Sequence, residues 1–110
     1  MKSKICGVSD SRTLEYLTNH SCPPQYIGFI VNYPKSKRFV EYDILKEILK
    51  INKKSTKYVA VLVEPDQAIL EKIKNLPFDY YQIYDCKPDR ALDIKQRYKK
   101  KIIISITVNN

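Results

Sequence analysis

Glycine is scarce in this chain: Gly7 and Gly28 are the only two in 110 residues. That excludes a G-x-G-x-x-G dinucleotide loop and a G-x-x-x-x-G-K-[ST] phosphate loop, neither of which occurs. Histidine is scarcer still, with His20 alone, and the three cysteines, Cys6, Cys22 and Cys86, stand at no metal-like spacing. No zinc or iron site and no cofactor are expected. No apolar run approaches the ~20 residues of a membrane span. The start, Met1-Lys2-Ser3-Lys4-Ile5-Cys6, has no signal-peptide core. The expectation is a cytoplasmic protein with free thiols and no membrane partner. Negative charge is also short: 12 acidic residues face 20 basic ones, a net charge of +8. Such a balance attracts anions of every kind. The lysines are nevertheless spread along the chain, and the tightest group, Lys99-Lys100-Lys101, reads as a solvated helix end and loop. No basic stretch is interleaved with glycine and aromatics as an RNA-binding strand requires, so nucleic acid is not an expected partner.

What is present is an alternation of two periodicities. Apolar or β-branched runs begin near Lys2, Tyr26, Lys57, Asp79 and Lys101. Several lack strict alternation, as strands covered on both faces do. Helical spacing fills the gaps: Leu14 and Leu17; then Ile44, Leu45, Ile48 and Leu49; then Ile69, Leu70, Ile73 and Leu76; then the weaker Ala91, Leu92 and Tyr98. Pro65 and Pro88 sit where a first helical turn is expected, and Pro77 ends the third helix. Asp10 and Asp85 follow strands and are candidate helix caps. The order β-α-β-α-β-α-β-α-β implies a parallel sheet with right-handed crossovers. Two architectures fit it: a flavodoxin-like open sheet, or an incomplete (β/α)8 barrel, whose full form needs about 250 residues. Periodicity does not separate them. A response-regulator site is disfavoured, because the first strand ends in Cys6-Gly7-Val8 and the third in Val61-Leu62-Val63-Glu64.

Particular residues narrow the choice. Lys4-Ile5-Cys6-Gly7 resembles the K-I-C-G signature of the phosphoribosylanthranilate isomerase family. Gly28-Phe29-Ile30-Val31, followed by Tyr33-Pro34-Lys35-Ser36-Lys37-Arg38-Phe39-Val40, is similar to that family's G-F-I-F…Y-x-K-S-P-R-x-V stretch. Val59-Ala60-Val61-Leu62-Val63, Tyr81-Gln82-Ile83-Tyr84-Asp85 and Ile102-Ile103-Ile104-Ser105-Ile106 follow in order as looser matches to its V-G-V-F-V, V-Q-L-H-G and V-I-K-A-I strands. Lys37 replaces the family's usual proline, and Tyr84-Asp85 its His-Gly. The resemblance implies that residues 1–110 form a single N-terminal half-barrel domain.

The implied reaction, a step of tryptophan biosynthesis, is an Amadori rearrangement of N-(5′-phosphoribosyl)anthranilate. A general acid protonates the ring oxygen and a general base takes the proton from C2, two opposed transfers that need two groups of different pKa. By resemblance Cys6 is the general base. A thiol starts near pKa ~8.5, and a positive neighbour lowers it; without the motif it reads as a small buried hydrophobe. Arg38 matches the arginine that grips the anthranilate carboxylate, a task suited to a planar guanidinium. Without the match it reads as a solvated loop residue. Gln82 is a candidate substrate contact. The family's general acid lies on a sixth strand and its phosphate loops follow the seventh and eighth, so no residue of this chain inherits those roles. The chain is expected to be inactive or weakly active alone.

A half barrel leaves its first and fifth strands as open edges, which recruit other strands. The expectation is a homodimer, or a complex with a complementing C-terminal half. The competing expectation is a non-catalytic half-barrel remnant that binds an anion or a protein.

Overall fold

The computed structural model describes residues 4–21, 23–33, 39–51, 55–84 and 87–105. Five strands alternate with helices: β1 (Lys4–Cys6), α1 (Ser11–Asn19), β2 (Tyr26–Ile30), α2 (Tyr42–Ile48), β3 (Lys57–Val63), α3 (Gln67–Ile73), β4 (Tyr80–Tyr84), α4 (Pro88–Tyr98) and β5 (Lys101–Ser105). All strand pairings are parallel, and the spatial order is β1-β2-β3-β4-β5. That order settles what periodicity left open. A doubly wound sheet reverses direction at a switch point and carries helices on both faces. Here each crossover steps to the next neighbour in the same direction, as around a (β/α)8 barrel, and the sheet is open.

The burial pattern agrees. Ile27, Phe29, Tyr58, Ala60, Leu62, Tyr81 and Ile83 point to one face and form a single core with Leu14 of α1, Leu45 and Ile48 of α2, Leu70 and Ile73 of α3, and Ile94 of α4. Phe29 anchors it, edge-to-face with Tyr58 at 5.3 Å and with Phe78 at 6.1 Å. The alternate strand positions, among them Gly28, Val59, Val61 and Gln82, lie on the other, concave face and outside that cluster. β3 is the middle strand and is buried on both faces from Tyr58 to Leu62. The edges are not: Ile5 of β1 and Ile103 and Ile104 of β5 are exposed.

Local signals explain the helix starts. The Asp10 carboxylate accepts from Thr13 N at 2.7 Å and opens α1. The Asp66 carboxylate accepts from Ile69 N at 2.9 Å and opens α3. Pro65 therefore stands two residues before the helix, just ahead of the capping Asp66, and not in its first turn. Pro88 does occupy the first turn of α4. Asp85 lies outside the described residues. Two apolar positions of the helical stripes are not in the core: Ile44 of α2 and Leu92 of α4 are exposed. In α4 the buried positions are Ala91 and Ile94, not Leu92.

The basic triplet does not form a patch. Lys99 takes a left-handed conformation, φ 55°, as the turn that ends α4. Lys100 donates through Nζ to the Phe78 carbonyl at 2.8 Å. Lys101 lies with its Nζ 5.5 Å from the centroid of the Tyr80 ring. The described residues contain no helix long and apolar enough to cross a membrane.

Candidate functional site

In barrels of this kind the chemistry gathers at the carboxyl ends of the strands. At that end β1 and β2 are joined in a particular way. Cys6 is in register with Gly28, and the Gly28 carbonyl accepts from both Gly7 N (2.9 Å) and Val8 N (3.2 Å). Gly7 has φ 86°, a conformation that glycine takes at no steric cost, so the chain turns sharply just after Cys6. Gly28, without a Cβ, leaves open space beside position 6. Cys6 belongs by register to the row Gly28, Val59 and Tyr80. Its side chain lies outside the described residues.

Arg38 also lies outside them, but the flanks of its loop do not. The loop leaves β2 after Val31, whose N–H donates to the Val61 carbonyl at 3.1 Å. Next the Asn32 side chain takes the place of a strand backbone: Nδ2 donates to Val63 O at 2.9 Å, and Oδ1 accepts from Val63 N at 2.8 Å. The loop returns with Phe39 bridged to Ile30 and Val40 N donating to the Ile30 carbonyl at 3.1 Å. Carbonyls two residues apart on a strand point the same way, so Ile30 O faces the same flank as Gly28 O. The returning limb therefore lies along β2 on the flank that β1 occupies lower down. Both ends of the loop are pinned at the carboxyl end of the sheet.

Gln82 is almost fully buried on the concave face, in register with Val61 and Ile103. Its Nε2 is 3.3 Å from the Tyr84 hydroxyl, which is set to accept from it at the mouth of the face. Tyr84 and Asn32 carry the geometry here, and periodicity marks neither of them. Glu64, the first residue past β3, has φ 42° and directly precedes Pro65. A non-glycine residue in that region before a proline is strained, and such strain concentrates at functional rims. Arg90 ties the next loop to this rim, its Nη2 donating to Pro65 O at 3.4 Å.

Two outer grooves lie elsewhere. One of about 710 Å³ runs between α1 and α2 and includes Asp10, Glu15, Asp43 and Glu47. The other, about 230 Å³, lies between α4 and β5 over Ala91, Leu92, Ile102 and Ile104. Both sit on the helical side of the sheet, so neither is the mouth formed by the strand ends.

No protein-family model matches the chain. It is 30% identical over 109 residues to the N-(5′-phosphoribosyl)anthranilate isomerase of Agrobacterium fabrum, a match covering 97% of this chain and 48% of that protein. The isomerase of the same name from a Sulfurihydrogenibium species is 32% identical over 108 residues, covering 97% and 49%. In structure the chain superposes on a phosphoribosyl anthranilate isomerase crystallised with reduced 1-(o-carboxyphenylamino)-1-deoxyribulose 5-phosphate. The TM-score is 0.85 at 21% identity, over 100% of this chain and 55% of that one. The chain spans about half the length of the curated relatives it matches.

Proposed function

We propose, from the relation of this chain to the phosphoribosylanthranilate isomerases along 97% of its length, that it is the N-terminal half-barrel of such an enzyme and supplies one side of its active site. The reaction is the Amadori rearrangement of N-(5′-phosphoribosyl)anthranilate to the carboxyphenylamino-deoxyribulose phosphate. Cys6 serves as general base and takes the C2 proton once the ribose ring has opened. Arg38 binds the anthranilate carboxylate with two parallel hydrogen bonds. Gln82, steadied against Tyr84, contacts the substrate from β4. The acid that protonates the ring oxygen and the groups that hold the phosphate come from the complementing half. The chain alone is inactive or weakly active, and it works in the cytoplasm, where its thiols stay reduced.

One observation carries this reading. The backbone of Cys6 and the returning anchor of the loop bearing Arg38 lie on the same flank of β2, and both anchors of that loop sit at the carboxyl end of the sheet. A general base and a carboxylate clamp for one small substrate require that proximity.

Complementation tests it. The chain is mixed with the remaining half of the Agrobacterium fabrum isomerase and product formation is followed. Activity above that of either half is expected, with Cys6→Ala lowering it by about 10²- to 10⁴-fold, the usual range for a positioned acid or base. Complemented activity that survives Cys6→Ala intact would remove the catalytic assignment. The open sheet, with Ile103 and Ile104 exposed on β5, favours a second reading as a binding remnant. Binding of anthranilate-like carboxylates with no turnover in any mixture, lost in Arg38→Ala, distinguishes it.

A further inference from the structure

The amino-terminal end of the concave face differs from the carboxyl end. Here the first inward residues of four strands are Tyr26, Lys57, Tyr80 and Lys101. Tyr26 and Tyr80, two strands apart, meet edge-to-face at 5.4 Å. Lys57 is in register with Tyr26; Tyr80 is in register with Val59 and with Lys101. From Lys57 to Lys101 the sheet thus climbs two residues in two strands. An eight-stranded barrel of shear about eight climbs about one residue per strand, and its interior layers draw on alternate strands. Lys57 and Lys101 therefore belong to one layer, with the two tyrosines in the layer next to it. Both lysines are exposed, and neither makes an ion pair among the described residues. Asp79 lies at the same end and accepts from the Tyr58 backbone N–H.

We propose that this tyrosine-and-lysine floor is a docking surface for the strands of a complementing protein segment that presents carboxylates at the same level, and that a second copy of this chain is not its occupant. The proposal rests on the half-barrel reading above and specifies the chemistry of the complementing half. Closing the barrel removes the floor from open water and strengthens every charge interaction within it. A second copy related by a two-fold axis along the barrel would bring a second Lys57 and a second Lys101 into one ring, with a net charge of +8 on each partner. Like charges placed together oppose association, and a buried charge left unpaired is costly. Carboxylates from a different segment pair with the lysines instead, while the Tyr26 and Tyr80 rings supply a rigid apolar bed.

Charge-reversed copies of the full chain test this. Sedimentation velocity is run on the wild type, on Lys57→Glu/Lys101→Glu, and on their equimolar mixture. The mixed pair is expected to associate at least ~tenfold more tightly than the wild type with itself at low salt, and the gap to close at high salt. Lys57→Gln/Lys101→Gln, mixed likewise, gives an intermediate result and stands in should the glutamate variant lose its circular-dichroism signature. Wild type that self-associates as tightly as the mixed pair overturns the proposal, as does a preference that salt leaves unchanged or no association in any sample. Complemented isomerase activity is read separately: activity without charge preference sinks the floor and keeps the half-barrel reading, whereas charge preference without activity does the reverse.

Discussion

The two faces of the sheet are built to different standards. The outer face is finished. Ile27, Phe29, Tyr58, Ala60, Leu62, Tyr81 and Ile83 are fully buried under four described helices. The concave face is buried only in its middle, at Gly28, Val59, Val61 and Gln82, and gives way to half-exposed tyrosines, exposed lysines and an exposed Ile103 toward its margins. The helical face holds the buried core that supplies the folding free energy. The concave face is less covered and carries Gln82 and the row beside Cys6. The lesson is that stability and site occupy opposite sides of the same strands, one residue apart.

Truncations on the two faces should separate these roles most sharply. Ile83→Ala, beneath the helices, is expected to cost about 2–5 kcal/mol, because a fully buried isoleucine leaves a cavity its neighbours cannot fill. Ile103→Ala on the concave face, already 37% exposed, is expected to cost under about 1 kcal/mol. Urea titrations of both variants measure the gap, and equal losses would mean that the concave face is packed in solution.

Within the finished face, two tyrosines offer a finer contrast. Tyr58 donates its hydroxyl to the Ile51 carbonyl at 3.3 Å, so Tyr58→Phe is expected to lose roughly 0.5–1.5 kcal/mol. The buried Tyr81 hydroxyl has no hydrogen-bond partner among the described residues. Tyr81→Phe removes an orphaned polar group and is expected to leave stability unchanged or raise it by up to about 1 kcal/mol. A loss in Tyr81→Phe matching that in Tyr58→Phe would show that the hydroxyl is satisfied in solution.

The smallest effect concerns pH. Burial, with Asp79 nearby, pushes the Tyr58 phenol up to about 12, and burial pushes Tyr81 up to about 12 as well. Raised folded-state values favour the protonated form. Their contribution is fully present below the ordinary phenol value of 10 and is lost as pH rises toward 12. Ultraviolet titration should show these two of the nine tyrosines ionising only as the chain unfolds. Smooth titration of all nine in the folded protein would contradict the burial of both rings.

Much of this was legible beforehand because it depends on local chemistry. The Asp10 cap and the stripes through Leu45 and Ile48 and through Leu70 and Ile73 follow from hydrogen-bonding capacity and from spacings of three and four. Ile44 and Leu92 were misleading, since an apolar residue at the edge of a stripe faces inward only if a neighbouring element covers it. Cys6 and Arg38 are candidates by motif resemblance, and the Cys6 side chain and Arg38 lie outside the described residues. The contact made by Asn32 was not legible. Asn32 imitates strand backbone for Val63, a contact 31 residues away, and no local pattern announces such a pairing.

By itself the sequence determined the order of elements and the residue types available for the chemistry. Those properties live in periodicity, capping and side-chain identity, each felt within a few residues. Only the tertiary structure decided that the strands run in the order β1 to β5, that the four described helices share one face, and that Cys6, Gly28, Val59, Tyr80 and Lys101 fall in one register row. Those depend on register between strands far apart in the chain, where a shift of one residue exchanges core for site.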